Sequence, residues 1–409
     1  MKKIVLIFLC ICILFCGCSY GVEVDKQAFV IAVGVDKGEV FPLRVTFVFA
    51  NPSASSGSSE GGSGGGESSE KSSPRSDIVT VEAPTVFSAT RKLDSIKSKV
   101  INLSHTKVVV FSDEIAKSGV KNFLSGFASS RDFRPNTYVC VCQGQTQSYL
   151  GSIKPAQESN IEKYYDNIMH KVASDKVNEA YLYYLYFNIE EKSGGSLVPL
   201  VGENTNNLSN TDATINPRSD DFSYEAIAGE MIRDSKNPAE VLGGAIFKGD
   251  KMLGTLGSFK TDLCRIICDE YYPKNYSISY PDHPDFVTIR LIQQESPSIK
   301  TSLEKDIAKI DISIPVAIEY VDAGKIENDR KKSKEFCSFL AERLNQETKE
   351  LLSMTQSQYK TDILGLGEHL KHHFPDYEKW NNFNWEEKYP HTKINVKFTI
   401  TYADFEEAN

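Results

Sequence analysis

From Ile310 to Ile318 every second residue is a branched apolar one: Ile310, Ile312, Ile314, Val316 and Ile318 alternate with Asp311, Ser313, Pro315 and Ala317. Ile394, Val396, Phe398, Ile400 and Tyr402 alternate likewise with Lys393, Asn395, Lys397, Thr399 and Thr401. Successive side chains of a strand point to opposite faces. Period two therefore describes a sheet with one buried and one wet face, as in antiparallel sheets. Between the runs lie two stretches of helical spacing. The first carries Phe336, Leu340, Leu344, Thr348 and Leu351, and the second Tyr359, Ile363, Leu366, Leu370 and Phe374. With a further strand at Phe286 to Ile292, residues 285–409 read as an α+β domain, a β-β-α-α-β unit with helices on one face.

The N-terminal half alternates strand-like and helix-like runs. Strands are predicted over Ala28–Val35, Leu43–Phe49, Ile78–Val81, Val108–Phe111 and Tyr138–Cys142. Helices are predicted over Val86–Ile101, Ile115–Phe127 and Ile161–Asn188, the last crowded with tyrosines. Ser53–Ser76 is mostly Ser and Gly and buries too little apolar surface to order itself, so it reads as a disordered surface loop. Its GGSGGG core has no following Lys-Ser/Thr and is no phosphate loop. Residues 18–203 are thus expected to form a mixed α/β domain, and the polar stretch 204–221 a linker. A small middle domain, 222–284, holds a hairpin turning at Gly249-Asp250 and a helix over Phe259–Glu270. The fold class expected is α+β (mixed α/β), in three domains of mixed sheets with helices packed on one face.

The first residues carry an address. Lys2 and Lys3 precede an apolar run, Ile4 to Phe15. The run is shorter than the ~20 residues a membrane span needs, and suits a secretory signal peptide, 1–17. It ends Phe15-Cys16-Gly17-Cys18-Ser19. This is similar to a bacterial lipobox: a thiol to accept a diacylglyceryl group, with a small residue before it for the peptidase. Gly17 meets that need for Cys18, and Phe15 does not for Cys16. Cys18 is therefore the expected lipidation site, and two acyl chains on one residue give stable anchoring. Loss of the leader removes two of 46 basic residues, leaving 44 against 55 acidic ones, a net −11. Such a chain neither binds nucleic acid broadly nor adheres to anionic lipid by charge.

No reaction chemistry stands out. The cysteines beyond Cys18, namely Cys140, Cys142, Cys264, Cys268 and Cys337, are odd in number and lack C-x2-C spacing. They read as buried free thiols. His369, His372 and His373 sit beside Glu368, but without H-E-x-x-H, and Gly365 and Gly367 interrupt their helix. His105 stands alone before a buried strand and reads as structural. G-x-S-x-G is absent, and no acidic pair is singled out. No metal, cofactor or catalytic residue is expected, and hence no enzyme.

Five stretches in order resemble the Ger(x)C family, the C-subunit lipoproteins of spore germinant receptors. They are Cys18 followed by F-V-I-A-V-G-V-D (Phe29–Asp36), L-S-H-T-K-V-V-V-F-S-D-E-I-A (Leu103–Ala116), Arg131-Asp132-Phe133-Arg134, G-G-A-I-F-K-G-D-K-M-L-G-T-L (Gly243–Leu256) and Q-Y-K-T-D-I-L-G-L-G-E-H-L-K (Gln358–Lys371), the last followed by Trp380 and Trp385. The Gly/Ser tract departs from the family by its length and simplicity. The resemblance implies a three-domain mixed α/β protein without enzymatic activity. It implies anchoring at the outer face of the inner spore membrane and assembly with A-type and B-type integral membrane subunits, in a complex that senses nutrients and triggers germination. Gly34 and Asp36 would shape a strand end, and Gly243, Gly254 and Gly365 would allow close backbone approach. Two alternatives stand beside it: a solute-binding lipoprotein of a transporter, which wants two matched lobes, and a membrane-tethered cell-wall enzyme, which wants a metal at the His369 cluster.

Overall fold

The computed structural model describes residues 23–50, 76–155, 158, 160–172, 181–191, 194–206, 219–281, 285–304, 307–324, 326 and 329–402. The leader, Cys18, the Gly/Ser tract up to residue 75 and most of the 204–221 linker lie outside them. A short turn, Val24–Lys26, leads into β1 (Gln27–Lys37). Around it form β2 (Leu43–Ala50), β3 (Ser76–Ala83), β4 (Val100–Asn102), β5 (Val108–Ser112), β6 (Tyr138–Gln143), β7 (Gly195–Glu203), β8 (Ala239–Lys248) and β9 (Lys251–Leu256). These nine strands make one mixed sheet, ordered β3-β2-β1-β5-β6-β7-β8-β9, with β4 beside the start of β1. β1, β5, β6 and β7 run parallel, and the flanking pairs are antiparallel.

A parallel strand is covered on both faces, because its crossover helices lie on them. The two cores of this sheet record that. Val33, Val109, Phe111, Val139 and Val141 pack with Leu93, Leu124 and Leu185 on one face. Ile31, Val108, Val110 and Cys140 pack with Tyr149, Tyr165 and Met169 on the other. The mixed α/β class expected from the sequence holds, but here helices occupy both faces rather than one.

The second sheet contains β10 (Lys274–Ser279), β11 (Phe286–Ile292), β12 (Ser298–Glu304), β13 (Ile307–Asp322) and β14 (Lys393–Tyr402). β11 and β12 share one edge of β13 in succession, and β14 takes the other. The β13–β14 pair is parallel, from Lys309↔Lys393 to Ile318↔Tyr402. The alternation that suggested antiparallel pairing arises because one face alone is covered, whatever the strand direction. A parallel pair needs a long crossover, and the helix Arg330–Ser353 supplies it. Asp329 caps its first turn by accepting from Lys331 N and Lys332 N at 3.0 and 3.2 Å. Its stripe Phe336, Leu340, Leu344 and Leu351 is fully buried against the sheet. Segment 222–284 divides between the sheets. Its hairpin β8–β9 completes the first, while the helix Ser258–Ile267 and β10 enter the core of the second.

Several predicted helices end early, each for a visible reason. The helix from Val86 stops at Leu93, and Val100–Asn102 becomes a strand beside β1. The stretch 115–127 is two helices, Asp113–Ser118 and Lys121–Ser129, broken at Gly119 with φ 120°. The stretch 161–188 yields Ile161–Val172 and Leu182–Glu191, with Tyr181 bridged to Tyr138 just before the second. The second amphipathic helix of the C-terminal unit does not form. The long helix ends in a wide turn, Met354–Tyr359, and a 3-10 segment, Leu366–His373, follows.

Candidate functional site

His373 Nε2 lies 2.9 Å from Thr301 Oγ1, and that hydroxyl also donates to the His369 carbonyl at 3.1 Å. The His372 and His373 rings pack 4.0 Å apart. The cluster thus ties the 3-10 segment to β12. Among the described residues no three His, Cys, Asp or Glu side chains gather as a metal site. His105 packs on Phe29, ring centres 4.6 Å apart, and faces Glu162. None of the five described cysteines is joined to another in a disulfide. Burial pushes the Cys140 and Cys264 thiols far up, so neither supplies a thiolate near neutral pH. Cys18, the expected lipid attachment, lies outside the described residues.

Three carboxylates that sequence reading did not single out, or read only as shaping a strand end, organise the loops. Asp36, at the end of β1, accepts from Thr146 N at 2.8 Å and Thr146 Oγ1 at 2.6 Å, so it holds the start of the helix Thr146–Ser152. Gly34 allows that approach: a Cβ there would lie 2.3 Å from Thr146 Oγ1. Glu82 accepts three backbone donors, Glu39 N, Val40 N and Phe41 N, besides Arg44. Those N–H groups hold its pKa down to about 2. Asp362 is buried and accepts from Leu364 N, Gly367 N and Trp385 Nε1 at 3.1, 2.9 and 2.9 Å. Burial raises its pKa despite those donors. Because Asp362 takes local backbone donors, the segment cannot close a regular helix there. Gly365 serves the same bend through its φ of 63°. Nothing lies within 4 Å of its missing Cβ, so its role is conformational rather than close approach.

Two openings remain on the first sheet's body. A polar cleft of about 80 Å³ lies where β5 and β6 begin, lined by His105, Lys107, Arg134, Tyr138, Asp166 and Tyr181. One of its two cations is answered from within, since Lys107 Nζ is 3.1 Å from both Glu162 and Asp166. Tyr138 and Tyr181 stack 4.7 Å apart along one wall. An apolar groove of about 370 Å³ runs between the helices Val86–Leu93 and Lys121–Ser129, floored by Leu43, Phe87, Phe123 and Phe127. Neither opening sets a nucleophile beside a base.

Comparison with known proteins places this architecture. The family model described as spore germination protein N-terminal domain matches residues 21–203. The model described as spore germination B3/GerAC like, C-terminal, matches residues 242–405. The chain belongs to the Ger(x)C family of spore germination proteins. A curated member, spore germination protein B3 of Bacillus subtilis (strain 168), is 21% identical over 398 residues, covering 94% of this chain and 93% of the relative. The crystal structure of the GerBC protein superposes with a TM-score of 0.54 at 14% identity, over 91% of this chain and 97% of that one. At that identity the likeness is one of fold, and it extends along nearly the whole Ger(x)C chain. The five resembling stretches fall within the two matched regions, apart from Cys18. Of the Ger(x)C motif residues, Gly34 and Asp36 are brought together at Thr146, while Gly254 gives room to the Tyr359 ring.

Proposed function

We propose that this chain is the lipid-anchored, non-enzymatic C-type subunit of a spore nutrient germinant receptor. A diacylglyceryl group on Cys18 holds it at the outer face of the inner spore membrane, beside A-type and B-type integral membrane subunits whose signal it helps to transmit. The observation that carries the reading is the pair of family matches, which run through both sheets in one chain. The N-terminal run ending at Cys18 supports the anchor. No described helix is long and apolar enough to cross a membrane. A role in assembly also suits a body whose buried carboxylates tie loops together rather than face a cleft.

The test is Cys18→Ala, followed by lipid labelling, membrane fractionation and pull-down from spore membranes. The parent chain is expected to carry lipid and to recover two polytopic partners. The variant is expected to lose the label, leave the membrane fraction and fail in germination. A variant that still carries lipid and signals normally, or a parent chain recovered alone, would end the reading.

A further inference from the structure

The turn Val24–Lys26 leaves Val24 72% exposed just before β1 begins. The parallel register places Val100 of β4 beside Gln27, the first residue of β1. Val100 is 54% exposed, and Ile96, four residues earlier in the connecting turn, is 55% exposed. Pairing thus sets Val100 beside the start of β1 that follows Val24, and Lys97, next to Ile96, reaches Asp77 towards the same end of the sheet, so three uncovered branched side chains lie towards one end of it. Cys18 is five residues from Glu23, where the described chain starts. An extended peptide spans at most ~3.6 Å per residue, so this link reaches at most about 18 Å. β4 lies one strand spacing further, about 4.8 Å.

We propose that this end of the sheet rests on the lipid surface, with Val24, Ile96 and Val100 as its apolar contact. The inference rests on the Cys18 anchor proposed above. A lipid on so short a link holds this edge, and no other part of the body, against the headgroup layer. Charge there is locally balanced: Glu23 pairs with Lys26 at 2.8 Å, and Lys97 pairs with Asp77. In a mature chain of net charge −11 that balance avoids repelling an anionic surface and leaves apolar contact as the attraction. Val40, 84% exposed in the turn after β1, marks the opposite end. The eleven residues of β1 set it roughly 35 Å away.

The full lipidated chain, with Cys268 and Cys337 changed to serine, is reconstituted in phosphatidylcholine vesicles. It carries one small fluorophore at V24C, V100C or V40C, and the vesicles contain a spin-labelled lipid. Mass spectrometry first establishes the lipid on Cys18. The labels at 24 and 100 are expected to lose fluorescence to the quencher, equally at low and high salt, while the label at 40 keeps it. Lipid on Cys18 with no quenching at either near position overturns the inference and leaves the anchor standing. So does shielding of those labels only when the receptor's membrane subunits are present, which makes the edge a protein interface. No lipid on Cys18 overturns the anchor and the inference together.

Discussion

Glu82 holds the β1–β2 turn by accepting three consecutive backbone N–H groups, and those bonds exist in full only while it is ionised. Its pKa falls from the ordinary 4.5 to about 2. Between those values the unfolded chain binds the proton and the folded chain does not, so falling pH favours unfolding. The stability Glu82 supplies is therefore fully present above about pH 4.5 and is lost as pH falls through 2. Thermal melts of the parent and Glu82→Gln should differ at pH 6, with the parent higher, and the gap should close towards pH 2. A gap independent of pH would count against the carboxylate as the source. Neither Glu82 nor Asp362 was legible in the sequence. Each is one acid among 55, and what distinguishes it is a set of donors placed by folding. Asp36 and Asp362 each stood in a recognisable motif, but the motif does not show the donors: Thr146 is 110 residues from Asp36, and Trp385 is 23 from Asp362.

The strands were legible and several helix limits were not, for a physical reason. A strand in a covered sheet shows its burial in its own periodicity. A helix end depends on which neighbour takes the last backbone groups. Val100 fits the helical spacing of 86–101, yet β1 offers it a ladder and wins it. Ile363, Leu366 and Leu370 are buried as predicted, but Asp362 and Gly365 replace the regular helix by a bend and a 3-10 segment. Gly195–Glu203, interrupted by Pro199, escaped notice as a strand, and so did Lys274–Ser279 and Ser298–Glu304, whose apolar residues are sparse. The β2–β3 hairpin gives the element-scale prediction. Ala50 and Ser76 are paired neighbours, joined by the 25 residues 51–75. Each doubling of a loop costs about 0.6 kcal/mol, so replacing 51–75 by a four-residue turn should stabilise the fold by about 1.6 kcal/mol. Denaturant unfolding measures this directly, and a loss of stability would show that the tract makes contacts the fold needs.

At the scale of the molecule, the two sheets are stitched by chain that crosses between them. β8 pairs with β7 from Gly195↔Lys248 to Glu203↔Ala239, on the far side of the 204–221 linker. Leu197, Ile246 and Leu256 of the first sheet enter the core of the second. A protease site placed within 207–218 and cut should leave the halves together on size exclusion, because the ladder and the shared core survive the nick. Halves that separate in native buffer would show that these contacts are too weak to hold the body. The sequence by itself determined the alternating strands, the long amphipathic helix, the mixed α/β class and the family, because each is written in local spacing or a contiguous motif. Only the tertiary structure decided that β14 runs parallel to β13, that helices cover both faces of the first sheet, and that Val24, Ile96 and Val100 share one edge. Those facts depend on which distant segments meet, and pairing across the chain leaves no mark in the local pattern of either partner.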